Sequence, residues 1–148
     1  QVPLYLSNRQ TAGALLRLLP EREGIRVADL GAGLGSVLRP LALARPDARL
    51  VGVENAPLTW LAGRFLALAL PNCELRWGSL WRTPLHEFDV VYAFLSPVPM
   101  PALWEKVAAE MAPGSLFVSN SFPVPGVAPT LVVDVGDGRG TQLYCYRR

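Results

Sequence analysis

The sequence contains very few of the residues that build metal centres, disulfide frameworks and nucleic-acid-binding faces. A single histidine, His86, excludes a metal site built from several histidines. Two cysteines, Cys73 and Cys145, are too few for a disulfide scaffold, and we expect both to be buried free thiols in a reducing compartment. The fourteen basic residues, nearly all arginines, are scattered along the chain and the net charge is only +2, so no basic stripe favours a nucleic-acid partner.

Long apolar runs are also missing from the sequence. The most apolar stretch, residues 60–70, is interrupted by Arg64 and falls far short of the roughly 20 residues that a membrane-spanning helix needs. No secretory signal pattern is present, and we therefore expect a cytoplasmic protein. The sequence begins at Gln1 and not at a methionine, which leaves open a membrane association through a segment upstream of Gln1.

Short apolar runs instead alternate with amphipathic segments along most of the chain. The spacing of apolar residues, together with proline and glycine breaks, defines the limits of each element. Ser7 or Asn8 is the expected N-cap of the first helix, and Pro20 closes it. The predicted helices are 4–19, 36–44, 58–70 and 101–111, and the predicted strands are 25–30, 50–54, 73–77, 88–94, 115–121, 131–135 and 141–146.

This alternation favours an α/β, Rossmann-like, doubly wound fold with a mostly parallel sheet and helices on both faces. The last two strands, joined by the glycine-rich turn 136–140, predict a C-terminal antiparallel β-hairpin. The helix expected before strand six is reduced to a loop, because the preceding segment has three prolines and no room for a helix. We expect one domain overall, with an N-terminal segment and helix in residues 1–24 and the sheet domain in residues 25–148.

Three glycines at every second position follow an acid where the first strand ends. The stretch DLGAGLG places Asp29 before Gly31, Gly33 and Gly35, whereas the third glycine of a dinucleotide-binding motif would fall at Ser36. The pattern D-x-G-x-G-x-G resembles motif I of class I S-adenosylmethionine-dependent methyltransferases. That cofactor has no phosphate but carries an ammonium group that an acid can hold, and glycines allow its close approach to the backbone.

Two further positions complete a predicted nucleoside site. Glu54 ends the second strand, where an acid can accept hydrogen bonds from both ribose hydroxyls, in dinucleotide enzymes as well as in methyltransferases. Ser79 follows the third strand, at a position where the wider class often has an aspartate that accepts from the adenine amino group. Leu80 or Trp81 is placed to pack on the adenine face, although ordinary packing accounts for Trp81 equally well.

The acceptor side is expected just beyond the fourth strand, at residues 94–99 (FLSPVP). Methyl transfer to an amine is an in-line displacement, which needs an aligned lone pair more than it needs an acid or a base. An apolar mouth favours the neutral amine, and backbone carbonyls or the Ser96 hydroxyl can orient its nitrogen. The chain has no Asp-Pro-Pro-Tyr or Asn-Pro-Pro-Tyr sequence, which argues against a nucleobase or glutamine acceptor.

Several stretches together resemble one family over nearly the whole chain. Residues 29–36, 51–64, 78–81 and 94–126 are similar to the small protein-lysine methyltransferases of mitochondria and their bacterial relatives. The mitochondrial members modify lysines of the ATP synthase c-subunit and of the adenine nucleotide translocase. The resemblance makes residues 25–148 the S-adenosylmethionine-binding methyltransferase domain and implies a protein partner that carries a lysine.

The resemblance also implies two sets of site residues and no metal. The cofactor would be S-adenosyl-L-methionine, with S-adenosyl-L-homocysteine as product. The implied cofactor-binding residues are Tyr5, Asp29, Gly31, Ala32, Gly33, Gly35, Glu54, Asn55, Ser79, Leu80 and Phe94. The residues implied to surround the transferred methyl group and the acceptor are Leu95, Ser96, Ser121, Phe122 and Pro123.

Three other functions compete with methylation of a protein lysine. A small-molecule N- or O-methyltransferase is compatible with the same fold, although the chain has almost no insertion to form a lid over a small acceptor. A non-catalytic cofactor-binding module is favoured by Ser79 in place of an aspartate and by the lack of a titratable group near Ser96. A dinucleotide oxidoreductase is disfavoured by Ser36 and by the lack of an acid for hydride chemistry.

Overall fold

The structure, a computed structural model, describes residues 4–148, with side chains described from residue 7 onward. Within that range the helices are α1 (Leu4–Leu18), α2 (Leu38–Ala44), α3 (Pro57–Leu66) and α4 (Met100–Glu110), and a single 3-10 turn covers Leu80–Arg82. The strands are β1 (Arg26–Leu30), β2 (Arg49–Glu54), β3 (Cys73–Trp77), β4 (Val90–Ala93), β5 (Leu116–Asn120), β6 (Leu131–Asp134) and β7 (Gln142–Arg147).

The seven strands form one sheet in the order β3-β2-β1-β4-β5-β7-β6. Strands β1 to β5 are parallel, whereas β7 pairs antiparallel with both β5 and β6. The chain reverses its direction of winding between β3 and β4, so the carboxyl ends of β1 and β4 lie at the switch point where such folds bind ligands. The predicted doubly wound fold with a C-terminal hairpin is therefore confirmed.

Two apolar layers cover the two faces of the sheet. One contains residues of α1 and α2 together with alternate strand residues such as Val27, Leu50 and Val90. The other contains α4 and the intervening strand residues, including Ala28 and Val51. Because the parallel strands are covered on both sides, they read as nearly continuous apolar runs in the sequence. Cys73 and Cys145 are buried free thiols, as expected.

The structure corrects several predicted boundaries. Ser7 and Asn8 do not cap α1, because the helix begins at Leu4 and Ser7 lies inside it. The hydroxyl of Ser7 instead donates a 2.6 Å hydrogen bond to Asp137 in the hairpin turn, a contact that no local pattern indicates. Pro57 begins α3 as predicted, but the helix ends at Leu66 and the chain turns before β3.

Three more elements are shorter than predicted. Helix α2 begins two residues late, because the glycine-rich loop extends to Val37. Strand β4 ends at Ala93, which leaves Phe94 outside the sheet, and β5 covers Leu116–Asn120 only. Among the helices that the structure describes, none combines the length and the apolar character that crossing a bilayer requires.

Candidate cofactor and acceptor site

The carboxyl ends of β1, β2 and β4 meet at one edge of the sheet. Asp29 near the end of β1 lies beside Gly52 of β2 and Tyr92 of β4, so these three residues share one face at that edge. Gly52 is necessary there, because a Cβ at this position would lie 2.7 Å from the Cβ of Ala32. The sheet thus brings the predicted acid of β1 next to the glycine-rich loop that follows it.

The glycine-rich loop turns sharply over the end of β2. The backbone amides of Gly31 and Ala32 both donate to the carbonyl of Val53, at 2.8 and 3.0 Å. Gly33 has a φ of +58°, in the left-handed region that glycine adopts readily. A Cβ at Gly33 would meet nothing within 4 Å, so this part of the loop faces open space. A ligand can therefore lie directly against the backbone at Gly33.

Helix α3 supports the loop from behind. Gly63 is the buried residue of that helix, and a Cβ there would lie 3.1 Å from the carbonyl oxygen of Gly33. The missing side chain lets the helix and the loop approach each other closely. Gly63 was not among the predicted site residues, although a glycine inside a helical run is the type of signal that points to such a contact.

Asp29 is a buried carboxylate without a partner. Its side chain is 4% exposed, and within the described part of the chain it forms no hydrogen bond or ion pair. Burial, and secondly the nearby charge of Glu54, raise its pKa from 3.8 to about 7. A cation at this position would relieve both effects, as the ammonium group of a bound amino acid would.

Glu54 at the end of β2 ties the loop to the start of α3. One carboxylate oxygen accepts from the amide of Gly33 at 2.8 Å, and the other accepts from the amide of Ala56 at 3.0 Å. Each oxygen keeps a second lone pair for a ribose hydroxyl. The predicted ribose contact of Glu54 stays a prediction, and the structure adds a role for this residue in fixing the loop.

A small cavity of about 130 Å³ lies between the glycine-rich loop and the segment after β3. Its lining includes Gly31, Asn55, Ser79, Leu80 and Leu95, all predicted site residues, together with Trp81. The Ser79 hydroxyl oxygen accepts from the amide of Trp81 at 3.1 Å and retains a second lone pair. The arrangement is suited to a nucleoside, with polar atoms at its rim and the Leu80 and Leu95 side chains as apolar walls.

The predicted acceptor residues follow β4 and β5 on the neighbouring part of the same edge. Phe94 is 54% exposed and Ser96 is exposed, whereas the Leu95 side chain packs against Gly31. The carbonyl of Phe122 accepts a 2.6 Å hydrogen bond from the buried Ser119 hydroxyl, which fixes the chain after β5. Pro123 lies next to it and is exposed.

Asn120 and Tyr92 were not among the predicted site residues, and Asn120 connects Tyr92 to Ser121, which was. Asn120 donates to the Tyr92 hydroxyl at 2.8 Å and accepts from the Ser121 hydroxyl at 2.6 Å. Burial and the charge of Asp29 raise the pKa of Tyr92, so it stays a neutral phenol. Ser121 has a φ of +69°, the only such non-glycine in the described chain. The polar run SNS at the end of an apolar strand was the available signal.

A second, narrower cavity of about 60 Å³ opens beside this group. It is lined by Asn8 and Thr11 of α1, by Phe94, Asn120 and Ser121, and by the hairpin turn at Arg139. Phe94 and Leu95 are consecutive in the chain, so the two cavities flank this dipeptide. The predicted role of Tyr5 concerns a side chain that lies outside the described residues.

Asp137 holds the hairpin turn against α1 at the rim of the second cavity. Its carboxylate accepts from the Ser7 hydroxyl, from the amide of Arg139 at 2.9 Å and from the Thr141 hydroxyl. These bonds connect two segments that are 130 residues apart in the chain. The turn therefore forms part of the wall, which the sequence did not indicate.

The residues present fit S-adenosylmethionine. Asp29 supplies an unpaired buried carboxylate for the ammonium group, and Gly33 exposes backbone without a Cβ in the way. Glu54 keeps lone pairs for the ribose, and the cavity at Ser79 and Leu80 suits an adenine. No phosphate-binding arrangement is required of this loop, in agreement with Ser36 where a dinucleotide motif would have glycine.

Comparison with known proteins agrees with this geometry. The profile of the ANTKMT methyltransferase domain family matches residues 29–131. The adenine nucleotide translocase lysine N-methyltransferase of Mus musculus is 30% identical over 147 residues, which are 94% of this chain and 61% of that protein. This chain therefore spans about three fifths of the length of that relative.

A solved structure is similar over nearly its whole length. The RNA methyltransferase from Salinibacter ruber, in complex with S-adenosyl-L-homocysteine, has a TM-score of 0.84 and 27% identity, covering 93% of this chain and 89% of that chain. The trans-aconitate 2-methyltransferase of Klebsiella pneumoniae (strain 342) is 36% identical over 84 residues, covering 55% of this chain and 32% of that protein. These relatives differ in what their names say they methylate.

Proposed function

Because the chain belongs to the ANTKMT methyltransferase domain family, we propose that it methylates a lysine amine of a protein. The chain is a class I S-adenosylmethionine-dependent methyltransferase. S-adenosylmethionine is its cofactor, which when bound supplies a methyl group on a positively charged sulfur. The lysine acceptor is the proposal, and the lysine N-methyltransferase of the mouse supports it.

The residues of β1 and β2 have the task of holding and orienting the donor. The Asp29 carboxylate attracts the ammonium end, and the Glu54 carboxylate accepts from the ribose hydroxyls while it holds the loop in place. Leu95, which packs on Gly31, excludes water from the region between the two cavities. Fixing the donor in this way removes much of the entropic cost of aligning the two reactants.

The observation that carries the acceptor proposal is the small cavity of about 60 Å³ beside Phe94, whose hydrogen-bonding side chains are mostly hydroxyls and amides. The end of an unbranched alkylamine needs less volume than a nucleobase does. The amine nitrogen must arrive with its lone pair free, and the apolar surroundings at Phe94 disfavour its ammonium form. Asp29 and Glu54 would hold the cofactor, which would supply the methyl group that the amine nitrogen accepts, with S-adenosyl-L-homocysteine as the leaving product. The proton of the resulting methylammonium passes to solvent.

An RNA acceptor is the second candidate, because a 27% identical protein of nearly the same length is named an RNA methyltransferase. One observation favours the protein lysine over it. The chain lacks the Asp-Pro-Pro-Tyr type of sequence that grips a planar base amine. A small-molecule acceptor is the third possibility that the labelling experiment below distinguishes.

The test is labelling of an extract of the source organism with S-adenosylmethionine that carries a radioactive methyl group. We expect label in material that proteases degrade and ribonucleases leave intact, and methyl-lysine in its hydrolysate. Gly33→Leu, which fills the space against which the cofactor must lie, is the matched inactive control. Label confined to ribonuclease-sensitive or low-mass material would overturn the lysine proposal while leaving the methyltransferase assignment intact.

A further inference from the structure

The outward face of α3 is apolar, which is unusual for a helix at a protein surface. Phe65 is 72% exposed and Leu58 is 81% exposed, and Leu61 and Leu66 are each about half exposed. Leu68, in the turn after the helix, is also exposed. A surface helix ordinarily presents charged and polar residues to water. Here the large side chains that face water are leucines and a phenylalanine.

The helical period places these side chains on one face. At about 100° per residue, Leu58, Leu61 and Phe65 lie within a narrow arc, opposite the buried Gly63 that packs on the glycine-rich loop. The helix is thus apolar both toward the sheet and toward solvent. Contiguous exposed apolar patches of this kind mark interaction surfaces.

Charges around this face are mostly positive. Residues 55–72 contain no acid, and Arg64 is their single charged residue, with its guanidinium carbon 5.7 Å from the centre of the Trp60 ring. Next to α3, along the outer edge of β3, is a surface depression of about 860 Å³. Its lining includes Arg49, Arg64, Arg76, Trp77 and a single acid, Glu74.

The acid of this depression is already neutralised. Glu74 accepts from Arg49 at 2.6 Å and from Arg76 at 2.7 Å, and Arg76 also lies 3.9 Å from a carboxylate oxygen of Glu87 outside the lining. The lining itself has three arginines and one carboxylate, and Arg64 on α3 contributes its positive charge. Trp77 at its rim is exposed and donates its indole N–H to the carbonyl of Asn55. Exposed tryptophan, leucine and phenylalanine beside arginine are the composition of a surface that lies in a membrane interface.

We propose that the outer face of α3 and the adjoining arginine-lined depression bind the surface of a bilayer that contains anionic lipids. Leu61 and Phe65 enter the boundary between headgroups and acyl chains, and Arg64 with its neighbours faces the lipid phosphates. Charge favours this occupant over a second copy of the chain, because residues 55–72 carry an arginine and no acid, so a two-fold contact through α3 would offer Arg64 no opposite charge from the same segment of the other copy. The inference does not depend on which acceptor is methylated.

The binding surface adjoins the cofactor site. Helix α3 begins two residues after Asn55, which lines the nucleoside cavity, and its Gly63 lies against the glycine-rich loop. Bound in this way, the domain would carry its site close to the bilayer surface. No span is needed for such an attachment, since one exposed helical face is enough.

The test is co-sedimentation of the 148-residue protein with vesicles of phosphatidylcholine alone and with vesicles that also contain phosphatidylglycerol. We expect binding to the anionic vesicles, weakened by salt, and a loss of at least about tenfold in the double variant Leu61→Glu/Phe65→Glu. Arg64→Gln should weaken binding about fivefold. Leu131→Glu is the matched control, because Leu131 is 50% exposed and lies on β6 at the opposite edge of the sheet.

Calorimetry of S-adenosylmethionine binding shows whether each variant is folded, since none of these side chains belongs to the site. Anionic-vesicle binding that the double variant loses and Leu131→Glu keeps would support the proposal. Absence of vesicle binding, equal binding to neutral vesicles, or binding that the double variant retains would overturn it. A concentration-dependent dimer that the double variant dissociates, without vesicle binding, would identify a second copy as the occupant and would also overturn it.

Discussion

The sheet edge that carries the candidate site has two halves, one at β1 and β2 and the other at β4 and β5. They differ in charge and in how their backbone is fixed. At β1 and β2, two carboxylates lie close together, and Glu54 ties down backbone amides while Asp29 has no partner. At β4 and β5, the corresponding side chains are neutral, and Tyr92, Asn120 and Ser121 bond to one another. One half is therefore suited to a cationic ligand and the other to a neutral one.

The contrast matches the chemistry of methyl transfer to an amine. The donor carries an ammonium and a sulfonium, so acids near it are favourable, whereas an acid without partners beside the acceptor would stabilise the unreactive ammonium form of the amine. The Asp137 carboxylate at the rim of the second cavity is instead engaged by Ser7, Arg139 and Thr141. A site with the two polarities exchanged would bind the amine well and methylate it slowly. The account can be tested by altering each half separately, beginning with the change of largest expected effect.

Glu54→Ala should weaken S-adenosylmethionine binding by about 100-fold or more. The variant removes the acceptor of the Gly33 and Ala56 amides as well as the ribose contact, and hydrogen bonds to a charged group contribute about 1.5–3 kcal/mol each. Glu74→Ala, on the neighbouring strand β3, is the control and should leave binding unchanged. Isothermal calorimetry measures both, and undiminished binding in Glu54→Ala would exclude the ribose from this strand end.

Asp29→Asn should lower cofactor affinity while it removes a cost to stability. At pH 8 we expect a loss of cofactor affinity of about tenfold to 100-fold. In the free protein the wild-type carboxyl has a raised pKa, so the preference of the unfolded chain for the ionised form lowers the free energy of unfolding. This penalty is absent below about pH 4, grows up to about pH 7 and is complete above it. The difference between 3.8 and about 7 corresponds to a penalty on the order of 4 kcal/mol.

Urea unfolding of both proteins at pH 4.5 and pH 8 measures this penalty. As the pH rises, the wild type should lose stability relative to Asp29→Asn, because the amide cannot ionise. A stability difference that is the same at both pH values would show that the Asp29 carboxyl is not strained by its burial.

On the acceptor half, Asn120→Ala should lower kcat about tenfold and leave cofactor affinity within about twofold. The variant deprives the Tyr92 hydroxyl of a donor and the Ser121 hydroxyl of an acceptor, which loosens the wall of the second cavity. Ser115→Ala, which removes a hydroxyl bond at the other end of the same strand, is the control for stability. A matching fall in cofactor affinity would contradict the division into two halves.

The smallest expected effect concerns the backbone at Ser121. Its positive φ costs about 1 kcal/mol or more for a residue with a Cβ, so Ser121→Gly should be more stable than Ser121→Ala by about that amount. Both variants lose the same hydroxyl, and their comparison isolates the backbone contribution. Equal midpoints in urea unfolding would argue against strain at this position.

The sequence predicted the half of the site that depends on local patterns. Neighbouring residues determine three of these features: the limits of β3, the D-x-G-x-G-x-G loop and the acid at the end of β2. The structure contains all three where the sequence predicts them. The doubly wound, mostly parallel sheet also followed from the alternation of elements, because crossover connections leave few topologies open.

The parts that the sequence did not predict depend on contacts between distant segments. The bond from Ser7 to Asp137, which brings the hairpin turn to α1, joins residues at opposite ends of the chain. Asn120 and Tyr92 meet only because β4 and β5 are neighbours, and an apolar pattern does not show what their polar members will contact. The early end of α3 has no signal in the run FLALAL, where helix propensity alone favours continuation.

Titration of the Asp29 carboxyl carbon by NMR, in the free protein and with S-adenosyl-L-homocysteine bound, tests the central claim most directly. The account predicts a midpoint near pH 7 in the free protein, and a fall of at least about one pH unit in the complex because the ligand ammonium favours the carboxylate. A midpoint near pH 4 in the free protein, or one that the ligand does not move, would contradict it.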